Sequence, residues 1–254
     1  MTYPRSLLAF FAVAVFSVLT APPAQSGDKK NPATTPSPRM TKDGKAPDPN
    51  WLKRHEGFVE IAKKGDVDVL FLGDSITDAW RNFDPKTKRG GKNVWDKTFA
   101  PLKAANFGIG GDRTQHVLWR IQNGELDGIK PKVAVLMIGT NNTGPDSAEQ
   151  IAEGVTAIVK EIHKKSPTTK VLLLAVFPRG KMIPNPGNTK ILGINKMIAK
   201  LDDGKNVKFL DIGSKFMKDG QIPESIMYDY LHLTETGYQL WADAIADDVK
   251  ALMK

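Results

Sequence analysis

The sequence predicts an α/β protein whose fold is a three-layer α/β/α sandwich around a five-stranded parallel sheet. Two observations lead to this fold class. Short runs of consecutive apolar residues recur along the chain, as is typical of parallel strands that are buried on both faces. Segments with helical periodicity alternate with these runs through short loops, which favours parallel strand connections. The composition, with 41% hydrophobic and 25% charged residues in 254, is that of a globular protein.

The first 49 residues are set apart from this domain. Residues 1–26 contain an apolar run from Leu7 to Ala21 that ends in small residues. They predict a cleaved signal peptide and a secreted or periplasmic protein, with an uncleaved membrane anchor as the alternative. Residues 27–49 hold five Pro and eight charged residues, which predicts a disordered linker. Residues 50–254 then form one domain with a sizeable core.

The predicted strands are the apolar runs, of which the second and fifth are the weakest. In chain order they are Val67–Leu72, Ala104–Ile109, Val133–Ile138, Val171–Phe177 and Val207–Ile212.

The predicted helices lie between and after these strands. Ser147 and Gln150 form a capping box at the start of one of them, and Trp241, Ile245 and Val249 mark the apolar stripe of the last. The segments are Thr114–Asn123, Ser147–Lys165, Asn188–Lys200 and Thr234–Met253.

Three loops follow the first three predicted strands, and each is rich in small residues and hydrogen-bonding groups. They are Gly73–Thr77, Gly108–Asp112 and Gly139–Asn142. In open parallel sheets, ligands bind outside the carboxyl ends of the strands. We therefore expect the functional site where these loops meet.

Ser75 is the candidate nucleophile, because it directly follows a buried strand. A serine needs a base to accept its proton, and His232 is the candidate base, with Asp229 three residues earlier as the group that orients the imidazole. Taken alone, Gly-Asp-Ser is also a common turn, and Asp-x-x-His is also compatible with a helix-start contact or half of a metal site. No second ligand pair stands at metal spacing, so no metal is predicted.

Acyl transfer also needs donors for the developing oxyanion. The candidates are the backbone N–H groups of Ser75 and Gly111 and the side-chain amide of Asn141. A phosphate-binding role for the Gly108–Asp112 loop is the alternative, but its sequence matches neither the dinucleotide nor the P-loop pattern.

The absence of cysteine excludes a disulfide scaffold, a thiol nucleophile and a cysteine-ligated metal. The net charge of +8 favours anionic partners. The basic residues are scattered or lie in residues 27–49 and 86–92, and no nucleic-acid-binding motif is visible, so no nucleic-acid partner is predicted.

The ordered set of motifs resembles the SGNH or GDSL-type serine hydrolases. The letters SGNH stand for the Ser, Gly, Asn and His of the family's four sequence blocks, and these match Ser75, Gly111, Asn141 and His232. Within the family, the segments from Val69 to Ser75, Asn106 to Arg120 and Leu231 to Thr234 are most similar to the catalytic subunits of platelet-activating-factor acetylhydrolase.

The resemblance implies a flavodoxin-like sheet with strand order 2-1-3-4-5 and a Ser75–His232–Asp229 triad that works through an acyl-enzyme without a cofactor. The residues matching Ile76, Thr140 and Leu231 crowd the acyl side in that family, which implies a short acyl group such as acetyl.

The resemblance further implies an ester of a phospholipid, a glycan or a small molecule as substrate, no stable membrane insertion, and a homodimer as one possible assembly. Residues Asp84–Lys92 depart from the family as an insertion beside the nucleophile loop. A catalytically silent glycan- or polyanion-binding module on the same fold is the alternative function.

Overall fold

The computed structural model describes Met1 and residues 30–254. Its centre is a five-stranded, all-parallel sheet with the order β2-β1-β3-β4-β5, so the predicted fold class and strand order are both confirmed. The strands are β1 (Val69–Gly73), β2 (Ala104–Gly108), β3 (Val133–Met137), β4 (Lys170–Leu174) and β5 (Val207–Leu210).

Seven α-helices surround the sheet in the described part of the chain. They are α1 (Pro49–Lys64), α2 (Ser75–Asp78), α3 (Lys92–Thr98), α4 (Thr114–Arg120), α5 (Ala148–Lys165), α6 (Pro186–Ile198) and α7 (Glu235–Leu252). The four predicted helices correspond to α4, α5, α6 and α7. The predicted Ser147–Gln150 capping box is present at the start of α5.

Each face of the sheet has its own apolar core, because successive strand side chains point to opposite faces. Leu70, Leu72 and Leu136 pack with α1, α4, α5 and α6 on one face. Val69, Phe71 and Val135 pack with α3 and α7 on the other. Among the described helices none has the length and apolar character needed to cross a bilayer.

The predicted disordered linker is wrong for residues 30–49, while the predicted signal peptide and residues 27–29 lie outside the described residues. Ala33 is fully buried, and its carbonyl accepts a hydrogen bond from Thr114 Oγ1 at 2.9 Å. Asn31 Nδ2 donates to Glu153 of α5 at 2.7 Å. Polar contacts and turns therefore hold residues 30–48, here named the N-terminal segment, against the domain without much apolar burial.

Helix α1 is an element that the sequence analysis did not identify. Asp48 caps its start by accepting from the backbone N–H groups of Asn50 and Trp51, and Pro49 suits the first helical position. Its buried residues include Trp51 and Phe58. This helix closes one face of the sheet beside the Gly108–Asp112 loop.

Candidate active site

Ser75 lies at the carboxyl end of β1, where the chain turns into α2. The side chain of Asp74 caps this short helix by accepting the N–H of Ile76 at 3.0 Å. Ser75 Oγ lies 2.9 Å from Nε2 of His232. The two groups are separated by 157 positions in the chain, so the fold, and not local sequence, brings them together.

The second imidazole nitrogen of His232 donates to Asp229, with Nδ1 and Oδ2 2.7 Å apart. Asp229 also accepts the backbone N–H groups of Leu231 at 3.1 Å and His232 at 2.7 Å. Partial burial of Asp229 opposes ionisation, but the hydrogen bonds from His232 outweigh it and lower the pKa of this carboxyl. An ionised Asp229 holds Nδ1 in its N–H form, which leaves the Nε2 lone pair facing the Ser75 hydroxyl.

The Gly108–Asp112 loop passes directly beside the serine. A Cβ at Gly110 would lie 3.7 Å from Cβ of Ser75. Gly110 N–H donates to Asp78 Oδ2 at 3.1 Å, and Gly111 has a positive φ of 82°. The glycines therefore let the backbone approach the nucleophile closely.

Asn141 reaches the same loop from the carboxyl end of β3. Its Nδ2 donates to the carbonyl of Asp112 at 2.9 Å, which uses one of its two amide hydrogens. In the part of the chain that the structure describes, the N–H groups of Ser75 and Gly111 have no hydrogen-bond acceptor. Ser75, Gly111 and Asn141 therefore each offer an N–H donor in the three loops at this edge of the sheet.

Comparisons with known proteins show which family this chain is similar to. Residues 71–240 match the model of the GDSL-like lipase/acylhydrolase family. The α1 subunit of platelet-activating factor acetylhydrolase IB from Bos taurus is 41% identical over 215 residues, covering 84% of this chain and 86% of that protein.

The chain belongs to the GDSL-like lipase/acylhydrolase family.

Two further relatives extend the comparison. The α2 subunit from Rattus norvegicus is 41% identical over 210 residues, covering 82% of this chain and 86% of its own. The solved structure of an acetylxylan esterase from Geobacillus stearothermophilus shares the fold with a TM-score of 0.57 at 18% identity, covering 74% and 96% of the two chains. As a member of this acylhydrolase family, the protein is a carboxylic ester hydrolase.

The residues expected to wall the acyl side of this hydrolase are buried or half-buried. Ile76 is 1% exposed and belongs to the apolar cluster against which Leu231 packs. Thr140 is 2% exposed, and its hydroxyl accepts from Arg179 Nη1 at 3.2 Å. Little accessible surface therefore remains on Ile76 and Thr140.

The Asp84–Lys92 insertion lies beside His232. The backbone of Arg89 bridges to Thr234, and its guanidinium stacks 4.0 Å from the centre of the Tyr228 ring. An open cavity of ≈ 470 Å³ is bounded by Arg89, Lys92, Tyr228 and His232. Basic groups therefore surround one side of the candidate base.

Asn142, the other amide of the third loop, has a different position. It is fully buried, and it donates to Asp146 Oδ2 at 2.8 Å while accepting from the Thr114 N–H at 3.0 Å. It therefore fixes the third loop to the start of α4.

Sequence reasoning missed two residues of this site, Asp78 and Arg39. Asp78 forms ion pairs with Arg54 at 2.8 Å and Arg81 at 2.7 Å while it accepts Gly110 N–H. Arg39 Nη1 donates to the carbonyl of Gly110. Asp78 could have been suspected from its place one turn after Ser75, whereas no sequence signal marks Arg39.

No group of three potential metal ligands occurs within residues 30–254.

Proposed function

We propose that this acylhydrolase is a serine esterase that uses Ser75 as nucleophile, His232 as general base and acid, and Asp229 as the residue that orients His232. The observation that carries the proposal is the continuous hydrogen-bonded chain, 2.9 Å from Ser75 to His232 and 2.7 Å from His232 to Asp229. These distances allow direct proton transfer.

The reaction proceeds in two halves. Ser75 Oγ attacks the ester carbonyl while His232 Nε2 takes its proton, and the same nitrogen then protonates the departing alcohol. Water attacks the resulting acyl-enzyme with His232 again as base, which releases the acid and restores Ser75. Asp229 stays ionised and stabilises the imidazolium that forms in each half.

The negative charge on the carbonyl oxygen is accepted by the N–H groups of Ser75 and Gly111 and the side chain of Asn141. Support comes from the two N–H groups that have no acceptor within the described residues. The bond from Asn141 to the Asp112 carbonyl fixes the amide in place before substrate arrives. Preorganised donors of this kind stabilise the tetrahedral intermediate at little reorganisation cost.

A short acyl group, first of all acetyl, is the proposed preference. The burial of Ile76 and Thr140 supports a shallow acyl side. The names of the relatives, an acetylhydrolase and an acetylxylan esterase, also share the acetyl group. On the alcohol side, Arg89 and Lys92 favour substrates that carry negative charge.

The cellular location of the enzyme is proposed from the sequence alone. The apolar run of residues 1–26 supports export and a secreted or periplasmic enzyme. A homodimer is proposed from the relatives, which are named as subunits.

The test compares Ser75→Ala with Ser214→Ala, an exposed serine that follows β5. On p-nitrophenyl acetate, Ser75→Ala should lower kcat by about 10³-fold or more, whereas Ser214→Ala should match the wild type. If Ser75→Ala kept more than a few percent of activity, the nucleophile would be another group. A wild type that bound acetylated glycans without hydrolysing any ester would instead be a silent binding module.

The acyl preference is tested on the wild type with acetyl, propionyl, butyryl and octanoyl p-nitrophenyl esters. Each methylene that the site does not accommodate costs about 1–3 kcal/mol in transition-state binding. We expect kcat/KM to fall steeply from acetyl to octanoyl. Equal values across the series would indicate an open acyl site and a lipase-like specificity.

A further inference from the structure

The Gly108–Asp112 loop is held by hydrogen bonds on nearly every side of its central residues. Ile109 N–H donates to Gly73 O at 3.3 Å, and Asp112 N–H donates to Ile109 O at 3.2 Å. Gly110 N–H donates to Asp78, and Gly110 O accepts from Arg39 Nη1. Only the Gly111 N–H is left without an acceptor in the described residues.

The contact from Arg39 matters because of the peptide bond between Gly110 and Gly111. The carbonyl of Gly110 and the N–H of Gly111 belong to one planar trans unit and point in opposite directions. A donor that fixes the carbonyl therefore also fixes the direction of the N–H. Arg39 holds the carbonyl end of the unit whose other end is a proposed oxyanion donor.

Without that contact, little else would hold this peptide in one orientation. Ile109 to Asp112 form a turn, with the positive φ of 82° at Gly111 that characterises a type II turn. Rotation of the central peptide converts type II to type I, and it points the N–H to the other side. Two adjacent glycines make both forms sterically accessible.

The position of Arg39 fits this role. A Cβ at Gly111 would come within 2.9 Å of Arg39 Nη1, so the guanidinium occupies the space that the glycine leaves open. Arg39 is itself held by Asp48, whose N–H donates to the Arg39 carbonyl at 2.8 Å and whose carboxylate lies 3.7 Å from Nη2. Asp48 in turn caps α1, so the arginine is tied to a rigid element.

We propose that Arg39 is a positioning residue for ester hydrolysis, which locks the Gly110–Gly111 peptide so that the Gly111 N–H faces the developing oxyanion. This inference rests on the proposed serine-esterase function. Among the described residues, the Arg39 side chain hydrogen-bonds to Gly110 and pairs with Asp48, and it forms no hydrogen bond with Ser75 or His232. Its positive charge on the carbonyl end also polarises the peptide and strengthens the N–H as a donor.

The test uses Arg39→Ala in the full-length protein, with Asn31→Ala and Lys42→Ala as matched controls. Asn31→Ala removes contacts between the N-terminal segment and α5 without touching Gly110. Lys42 is an exposed basic residue of the same segment. Circular dichroism and thermal unfolding establish that each variant is folded.

On p-nitrophenyl acetate, Arg39→Ala should lower kcat by about 10- to 100-fold, because an oxyanion donor becomes misoriented, while KM changes by less than about twofold. Binding of phenylboronic acid, which forms a tetrahedral adduct with a serine nucleophile, should weaken by a similar factor. Added guanidinium chloride should restore part of the kcat of Arg39→Ala, and both controls should keep wild-type kcat.

Three results would overturn the inference. They are an unchanged kcat in Arg39→Ala, a loss confined to KM, or the same loss in Asn31→Ala, which would mean that any loosening of the segment suffices. If Arg39→Ala does not fold, Arg39→Gln is measured instead, because the shorter, neutral glutamine side chain should also lower kcat. A wild type without esterase activity would refute the proposed function itself, whereas an active wild type with an equally active Arg39→Ala refutes only this role.

Discussion

Within residues 30–254, two imidazoles have Nδ1 within hydrogen-bond distance of a carboxylate, and only one of the two faces a nucleophile. His55 Nδ1 lies 3.1 Å from Glu125 Oε1, and His232 Nδ1 lies 2.7 Å from Asp229 Oδ2. The difference is at the other nitrogen. Nε2 of His55 faces the carbonyl of Asn123 at 3.1 Å, whereas Nε2 of His232 faces the Ser75 hydroxyl.

The surroundings reinforce this difference. Glu125 is fully buried and forms an ion pair with the buried Arg120, whose Nη1 lies 2.6 Å from Oε2 of Glu125. Arg120 also pairs with Asp112 at 2.9 Å, so the cluster joins α1, α4 and the glycine loop. Asp229 and His232 keep 43% and 27% of their side-chain surface exposed. A carboxylate next to a histidine therefore indicates a catalytic base only where the second nitrogen meets a proton donor that substrate can reach.

The largest expected effect comes from replacing the two histidines in turn. His232→Gln should lower kcat by about 10³-fold or more, because it removes the base, and it should leave the unfolding free energy nearly unchanged. His55→Gln should keep kcat within about twofold of wild type but lower the unfolding free energy by about 1–3 kcal/mol, because it disturbs buried hydrogen bonds. Urea unfolding and p-nitrophenyl acetate kinetics measure both quantities. A large loss of kcat in folded His55→Gln would contradict the comparison.

A smaller effect is expected at the adjacent amides Asn141 and Asn142. Asn141→Ala should lower kcat by about 100-fold with little change in KM, as for the loss of one oxyanion donor. Asn142→Ala should mainly lower the unfolding free energy, by about 2–3 kcal/mol, because it leaves Asp146 and Thr114 with unpaired buried groups. An effect of Asn141→Ala on KM alone would assign it to ground-state binding.

The smallest expected effect comes from replacing Asp74, a buried carboxyl whose titration differs from that of Asp229, and it is an effect on stability. Burial, together with the nearby Asp112, raises the pKa of Asp74 to about 7, whereas the pKa of Asp229 is lowered. Between its unfolded pKa and a pH of about 7, Asp74 is therefore protonated in the folded protein but ionised in the unfolded chain. Its contribution to stability is present below its unfolded pKa and is lost as the pH rises to about 7.

Asp74→Asn keeps the acceptor for the Ile76 N–H and does not titrate. Its unfolding free energy relative to wild type should thus increase between pH 5 and pH 8, as measured by urea unfolding at both values. Asp243→Asn, on the exposed side of α7, is the control and should show no such change. A constant difference between Asp74→Asn and wild type would mean that Asp74 titrates alike in the folded and unfolded states.

The sequence alone predicted the sheet and the candidate triad, because both depend on strong local patterns. Buried parallel strands appear in the sequence as runs of apolar residues, and the loops after them contain Ser75, Gly111 and Asn141. The position of His232 just before the last helix completed the set. These residues are distant in the chain, and the parallel topology is what brings their loops to one edge.

The N-terminal segment was mispredicted because its contacts are polar. Composition measures how much apolar surface a segment can bury, and this segment buries little beyond Ala33. Its position depends on side-chain hydrogen bonds to α4 and α5, which no periodicity reveals. Helix α1 was missed for a related reason, since Gly57 is a poor helix former and only four of its sixteen residues are buried, although Asp48 followed by Pro49 is a helix-start signal.

The contacts made by α1 and the N-terminal segment also define where this catalytic unit can be cut or joined. Trp51 Nε1 donates to Asp112 at 2.7 Å, and Arg39 donates to Gly110. A fragment cut at the boundary of the family match, residue 71, would lack both. A unit intended for fusion or for exchange between relatives therefore has to include Asn31, Arg39 and Trp51, and a protein joined ahead of it would be anchored beside α5, where Asn31 meets Glu153.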